Sequence, residues 1–257
     1  MIQKEIQIFF NALVFYSRIP GPSWIKHSED NLNKATRYFP LIGWIVGGIS
    51  IITFLLANQI LPKNISLVLS MVAGILTTGG FHEDGFADVC DGFGGGWTKS
   101  KILEIMKDSR VGTYGGLGLV LMLLLKFFSL SEIPENLLIT SILVGHTVSR
   151  FLASSFIFTH QYVREDALSK AKPVAKKLSY KNLFIAAFFG ISPLFIFPNL
   201  TYLLVIIPLF IIKWWLGKYF IKWIGGYTGD CLGATQQISE IVILLSVIII
   251  SITQNLI

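Results

Sequence analysis

Four acids fall within nine residues of the glycine-rich segment GGFHEDGFADVCDGFGGG (Gly79–Gly96): Glu83, Asp84, Asp88 and Asp91. On a helix turning about 100° per residue, Asp84, Asp88 and Asp91 share an arc of about 60°, and Glu83 points about 100° away from Asp84. Three carboxylates on one stripe repel each other unless a cation neutralises them. Oxygen donors without a paired Cys or His suit a hard ion, magnesium or manganese, which keeps several waters and shares its other positions with substrate phosphate. Glu83, Asp84, Asp88 and Asp91 are therefore the candidate metal ligands, and the three aspartates are also candidate catalytic groups. A solvated acidic helix end is the plain alternative. The spacing D-x-x-x-D-x-x-D-G lacks the alternating ligands and closing Glu of an EF-hand.

Two further segments carry groups suited to a phosphate-bearing substrate. KDSRVGTYGG (Lys107–Gly116) sets Lys107 and Arg110 beside Asp108 and the Thr113 hydroxyl. Lys and Arg next to a metal offset the charge that spreads over a transferred phosphoryl group, although they also serve as headgroup anchors. GGYTGDCLGATQQISE (Gly225–Glu240) offers close backbone approach at Gly229 and a carboxylate at Asp230. Glu240 opens the last apolar stretch, where a lone charge is costly. Arg150 lies inside another apolar stretch, one turn after His146, and needs an anionic partner such as the acids or a substrate phosphate. His146 reads as a hydrogen-bonded packing residue and Lys126 as a snorkelling one. The candidate catalytic set is Asp84, Asp88, Asp91, Lys107, Asp108 and Arg110, and the candidate substrate-binding set is Thr113, Arg150, Gly229 and Asp230.

The elements that hold these groups are set by lipid. Of 257 residues, 53% are hydrophobic and 14% charged, against about 25% charged in a soluble domain. Seven apolar stretches are placed at 40–61, 66–80, 112–130, 137–159, 182–197, 200–212 and 238–253, several shorter than the roughly 20 residues of an upright span. The 182–212 stretch is divided into two at Pro198-Asn199, a plausible turn. The net charge of +6 raises nucleic acid as a partner, but its distribution argues for topology instead. Eighteen of the 21 basic residues fall in the N-terminal region, 81–111, 160–181 and 213–237, and Lys63 alone falls on the opposite connectors. By the positive-inside rule these connectors and the N-terminus are cytoplasmic and the C-terminus is outside. The start, IQIFFNALVFYSRIP, lacks the pattern of a cleavable signal and reads as an interfacial helix ended by Pro20. Cys90 and Cys231 are too few for a disulfide framework and suggest a reduced compartment. The expected fold is all-α and polytopic: about seven transmembrane helices and an N-terminal interfacial helix in one domain spanning 1–257, with its catalytic loops on the cytoplasmic face.

Together the motifs resemble the cobalamin synthases, the adenosylcobinamide-GDP ribazoletransferase family. The resemblance rests on YSRIP (Tyr16–Pro20), RYFPLIGWIVGG (Arg37–Gly48), HEDGFADVCDGFGGG (His82–Gly96), MKDSRVGTYG (Met106–Gly115) and GYTGDCLGA (Gly226–Ala234). It implies a magnesium-dependent transferase of the prokaryotic cytoplasmic membrane. Such an enzyme joins adenosylcobinamide-GDP to α-ribazole or its 5′-phosphate and releases GMP, late in cobalamin biosynthesis. Its partners would be those substrates and the bilayer, with a homo-oligomer and other late-pathway enzymes open and no nucleic acid. Two rival classes are carried beside it. Membrane alcohol phosphotransferases and prenyltransferases use longer aspartate arrays than the one D-x-x-x-D unit here. Transporters place coupling acids near the midplane of duplicated halves, and no repeat is visible.

Overall fold

The computed structural model describes residues 2–26, 28–163 and 178–255. The chain starts with amphipathic α1 (Ile2–Tyr16), which buries Ile8, Ala12, Leu13 and Tyr16. It ends where the Ser17 hydroxyl donates to the Leu13 carbonyl at 2.6 Å. Short α2 (Glu29–Ala35), capped by Ser28, leads through a 3-10 turn into α3 (Phe39–Ala57), with Pro40 in its first turn. Proline fits there because the first helical N–H groups have no intrahelical partner.

The decisive bend follows α4 (Lys63–Thr78). Gly79 and Gly80 both adopt left-handed backbone, with φ of 70° and 72°, and the chain turns by 88° into α5 (Phe81–Gly95). Side chains with a Cβ disfavour that conformation, so the glycine pair allows the acidic helix to lie across the end of the bundle. After α6 (Lys99–Ile105) come α7 (Thr113–Glu132) and α8 (Glu135–Thr159). α8 is the central post, buried along most of its length, with α3 and α11 (Gly229–Asn255) packed against it. Between them lie α9 (Tyr180–Ile191), two 3-10 segments (Ser192–Ile196 and Leu200–Val205), and α10 (Ile206–Ile224).

Outward faces carry Leu55, Val72, Leu121, Phe128, Phe188 and Phe210, all exposed. Apolar surface on this scale fits lipid rather than water. The protein is all-α among its described residues and polytopic. Among the described residues, five helices are long and apolar enough to cross a membrane: 30–57, 113–132, 135–159, 200–224 and 229–254. The bent α4–α5 pair makes a sixth if it counts as one span. Against the expected seven, residues 180–196 form a shorter apolar helix, because Pro193 tightens the chain into 3-10 geometry after twelve α-helical residues. The division of 182–212 holds, with extended backbone at Phe197 and Asn199. Two boundaries move. α10 runs on through Lys213, Lys218 and Lys222, whose ammonium groups rest over the rings of Phe156, Trp214 and Trp223. α11 begins at Gly229 rather than 238. In the basic 160–181 connector, Arg164, Lys170, Lys172, Lys176 and Lys177 lie outside the described residues.

The motif-bearing segments meet at one end of the bundle. Arg18 N–H donates to the Thr77 carbonyl at 2.8 Å, and Tyr227 pairs with Gln161 and Val163 at 2.9 and 3.0 Å. Asp230 backbone lies against Gly85. Lys63 marks the opposite end, where it donates to the Ser131 carbonyl at the close of α7.

Candidate functional site

The acidic segment folds as expected, as one helix, but its four acids do different things. Asp91 reaches across to the start of α7. Its two carboxylate oxygens accept the N–H groups of Gly112 at 2.7 Å and Gly115 at 2.8 Å. A carboxylate at a helix N-terminus satisfies donors that lack intrahelical partners and complements the helix dipole. This contact also fastens the Lys107–Arg110 loop to α5.

Glu83 turns the other way, into the bundle. Gln237 Nε2 donates to its Oε1 at 2.9 Å, while Glu83 Oε2 is buried without a partner among the described residues. Around it lies a buried polar cavity of about 20 Å³, lined also by His82, Lys126, His146, Arg150, Gln236 and Glu240. Lys126 pairs with Glu240 at 2.6 Å, and Gln236 Nε2 donates to both Glu240 Oε2 (2.9 Å) and Ser149 Oγ (3.0 Å). Arg150, 1% exposed, donates through Nη1 to the His146 carbonyl at 2.8 Å and lies over the Phe39 ring. Sequence reasoning placed Arg150 beside either the acids or a substrate phosphate, and the structure puts it in Glu83's cavity. Lys126 is a buried ion-pair partner rather than a snorkelling residue, because Glu240 faces it across the α7–α11 contact. His146 does pack and hydrogen-bond, and His82 is buried, its ring stacked on Phe39.

Asp84 alone of the four is fully exposed. It lines an open groove of about 610 Å³ with Arg18, Thr78, Gly79, Gly80, Phe81, Ala87, Val111 and Leu119. Asp88 follows one turn later on the same face, half-buried. Arg18 was not singled out as a site residue, although YSRIP carried part of the resemblance. Its side chain is held over Gly79, where any Cβ would collide with it.

The loop residues Lys107, Asp108, Ser109 and Arg110 are exposed, as is Thr113 in the first turn of α7. Arg110 forks onto Asp108, with Nη2 2.7 Å from Oδ2 and Nε 3.1 Å from Oδ1. The Arg110 guanidinium, helped by its backbone N–H, holds the Asp108 carboxyl down at about 2. So weak a base is poorly matched to removing a hydroxyl proton near neutral pH. Gly229 opens α11 with free space around it, and Gly85 and Gly233 let α5 and α11 cross closely. A Cβ on Gly85 would come within 3.0 Å of Asp230 Cα, so the first turn of α11 is pressed against the acidic helix between Asp84 and Asp88.

The four acids do not converge on one point. Among the described residues, no three His, Cys, Asp or Glu side chains form a group able to hold an ion. Asp91 accepts from α7 amides and Glu83 from Gln237, while Asp84 is exposed on the groove and Asp88 follows one turn on, half-buried. A carboxylate on an open groove, with a second one turn along the same helix, suits magnesium, which is commonly held by one or two carboxylates together with waters and substrate phosphates.

Comparison with known proteins assigns the family. A profile of cobalamin-5-phosphate synthases matches residues 8–248. The chain belongs to this family. A relative from Shewanella frigidimarina (strain NCIMB 400), named adenosylcobinamide-GDP ribazoletransferase, is 49% identical over 93% of this chain and 92% of its own length. Relatives of the same name from Shewanella woodyi (46% identical, 94% and 95% covered) and Shewanella oneidensis (48% identical, 93% and 92% covered) agree. No solved structure matches the chain. The acidic helix, the Lys107–Arg110 loop and the start of α11 are three of the five segments that carried the resemblance, and all three gather at one end of the bundle.

Proposed function

We propose that this family member is the transferase its relatives are named for, joining adenosylcobinamide-GDP to α-ribazole or α-ribazole 5′-phosphate with release of GMP. The observation that carries the reading is the gathering of three motif segments at one end of the bundle: α5, whose Asp84 lines the open groove, the loop held by Asp91, and the α11 start, where Asp230 lies against Gly85. In the reaction, the ribazole 3′-oxygen forms a bond to the phosphorus nearer the corrinoid. The bond from that phosphorus to the bridging oxygen breaks, GMP leaves with that oxygen, and the hydroxyl proton is released.

Asp84 and Asp88 would hold magnesium against the pyrophosphate, and the ion when bound would offset charge on the attacking and leaving oxygens. Arg18 in the groove and Lys107 on the neighbouring loop would orient the diphosphate, and Arg110 would contribute on the GMP side while sharing its charge with Asp108. Thr113, Gly229 and Asp230, at the starts of α7 and α11, are the candidate substrate contacts at this end of the bundle. Asp91 acts by positioning the loop, and Glu83 and Arg150 support α5 from beneath. With the basic connectors on this end, the groove faces the cytoplasm and the N-terminus is cytoplasmic in the bacterial inner membrane.

The test is protein in lipid vesicles with both substrates and magnesium, with GMP as the readout. Chelation is expected to stop GMP release and added magnesium to restore it. No GMP with either form of ribazole would overturn the proposal.

A further inference from the structure

A second cavity, remote from the acidic helix, opens between α8, α9 and α10. It encloses about 310 Å³ and its wall is almost wholly apolar, with Val148, Leu152, Leu194, Ile206 and Leu209 along its length. Polar groups appear at one end only: Ser155, Thr159 and the ammonium of Lys213. From Val148 to Thr159 the α8 wall rises about 16 Å, close to the depth of one leaflet of a roughly 30 Å hydrocarbon core.

The polar end carries the marks of a membrane boundary on the active-site side. There α8 stops at Thr159, and Trp214, Trp215 and Tyr180 stand exposed at the same level, as interfacial aromatics do. Lys213 is half-buried and, among the described residues, makes no ion pair. Its described neighbours of note are aromatic rings rather than acids: it sits over the Phe156 ring and beside the His160 imidazole. A cation held below the interface calls for an anionic partner.

We propose that this groove holds one phospholipid from the active-site-side leaflet, with an acyl chain along Val148 and Leu152 and the phosphate on Lys213. The shape and charge fit together. The long apolar trough opens toward lipid past exposed Phe210 and Ile206, and one cation closes the end where a headgroup phosphate would lie. The bound lipid fills space between α9 and the central post that no side chain occupies. α9 also carries Asn182, which accepts from Arg37 at 3.1 Å, so the lipid braces the helix that ties the N-terminal region to the bundle.

The test is native mass spectrometry of the whole protein in detergent, titrated with chain-matched phosphatidylglycerol or phosphatidylcholine. The expected result is one retained lipid, with at least a fivefold preference for phosphatidylglycerol. Lys213→Gln should erase that preference, and Ile206→Trp, which crowds the mouth from a partly exposed position, should cut retention of both lipids several-fold. Monodispersity and GMP release of each variant report whether the fold survives; Leu152→Trp is a second filling variant if Ile206→Trp fails that check. Unchanged preference in Lys213→Gln would overturn the proposal. So would displacement of phosphatidylglycerol by millimolar inorganic phosphate alone, since that would make Lys213 a site for free anions.

Discussion

Asp91→Asn separates a positioning acid from a metal ligand. In the wild type, both oxygens of the half-buried carboxylate accept α7 amides, at 2.7 Å from Gly112 and 2.8 Å from Gly115. Hydrogen bonds to a charged group contribute roughly 1.5–3 kcal/mol each, against about 1 kcal/mol for a neutral one. Asparagine keeps one neutral acceptor and turns its own NH₂ toward the other amide, a donor facing a donor. Discounting for the exposure of Gly112, the local loss is about 2 kcal/mol, which corresponds to roughly 30-fold faster opening at about 1.4 kcal/mol per decade. Hydrogen exchange of a peptide spanning 111–116 should show this acceleration while α8 peptides stay unchanged. The same variant should lose turnover with an unaltered magnesium half-saturation, because the loop has loosened but the ion's ligands remain. Unchanged exchange at 111–116 combined with a magnesium requirement raised tenfold or more would refute the reasoning and make Asp91 a direct ligand.

Other perturbations test neighbouring parts of the site. Asp84→Asn, shown to be folded by its retention in membranes and its melting profile, is expected to lower GMP release by at least about 100-fold, within the range for losing electrostatic transition-state stabilisation; wild-type turnover would remove Asp84 from the site. Lys126→Met leaves Glu240 buried without its main partner and should cost about 3 kcal/mol, the low end for such a break because Gln236 still donates to the carboxylate. The double variant Lys126→Met/Glu240→Leu should recover most of the lost melting temperature, and a double variant no more stable than the single would contradict the pairing. Asp108, held at about 2 by Arg110, has a folded value below the usual 3.9 or so of an aspartate. Its ion pair is therefore fully present above about pH 4 and is lost only as pH falls through about 2. Between pH 5 and 9 its charge is constant, so Asp108→Asn should leave the shape of the rate–pH profile unchanged whatever it does to the rate. Disappearance of an acid limb in that range would instead make Asp108 the base.

The acidic stripe was legible because helical spacing alone puts Asp84, Asp88 and Asp91 on one face, and α5 realises it. The same geometry set Glu83 about 100° apart, but whether that direction pointed to solvent or core depended on the bend at Gly79-Gly80, which spacing does not reveal. Asp91's role was hidden for another reason: its partners are backbone amides 21 and 24 residues away, and a backbone donor has no residue type to recognise. The span ends were misplaced in opposite ways by one cause. Hydropathy stops α10 at Lys213, yet lysine stems and neighbouring rings carry the helix to Ile224. Hydropathy also delays α11, because Thr235, Gln236 and Gln237 look like a connector leading into Ser239 and Glu240.

Those five residues are all buried. Most of their polarity is met inside the bundle: Thr235 and Ser239 hydroxyls donate to carbonyls one turn back, the two glutamines donate to Ser149, Glu83 and Glu240, and Glu240 meets Lys126, while Gln237 Oε1 is buried without a partner among the described residues. A polar run that would read as a loop in water becomes, beneath a membrane surface, the layer on which the acidic helix rests. It follows that α5 is supported by hydrogen bonds rather than by apolar contact alone on its Glu83 side. Replacing Gln237 by Leu should therefore loosen α5 more than the similar volume of the side chains suggests, since it strips Glu83 of its only described donor while leaving the carboxylate buried.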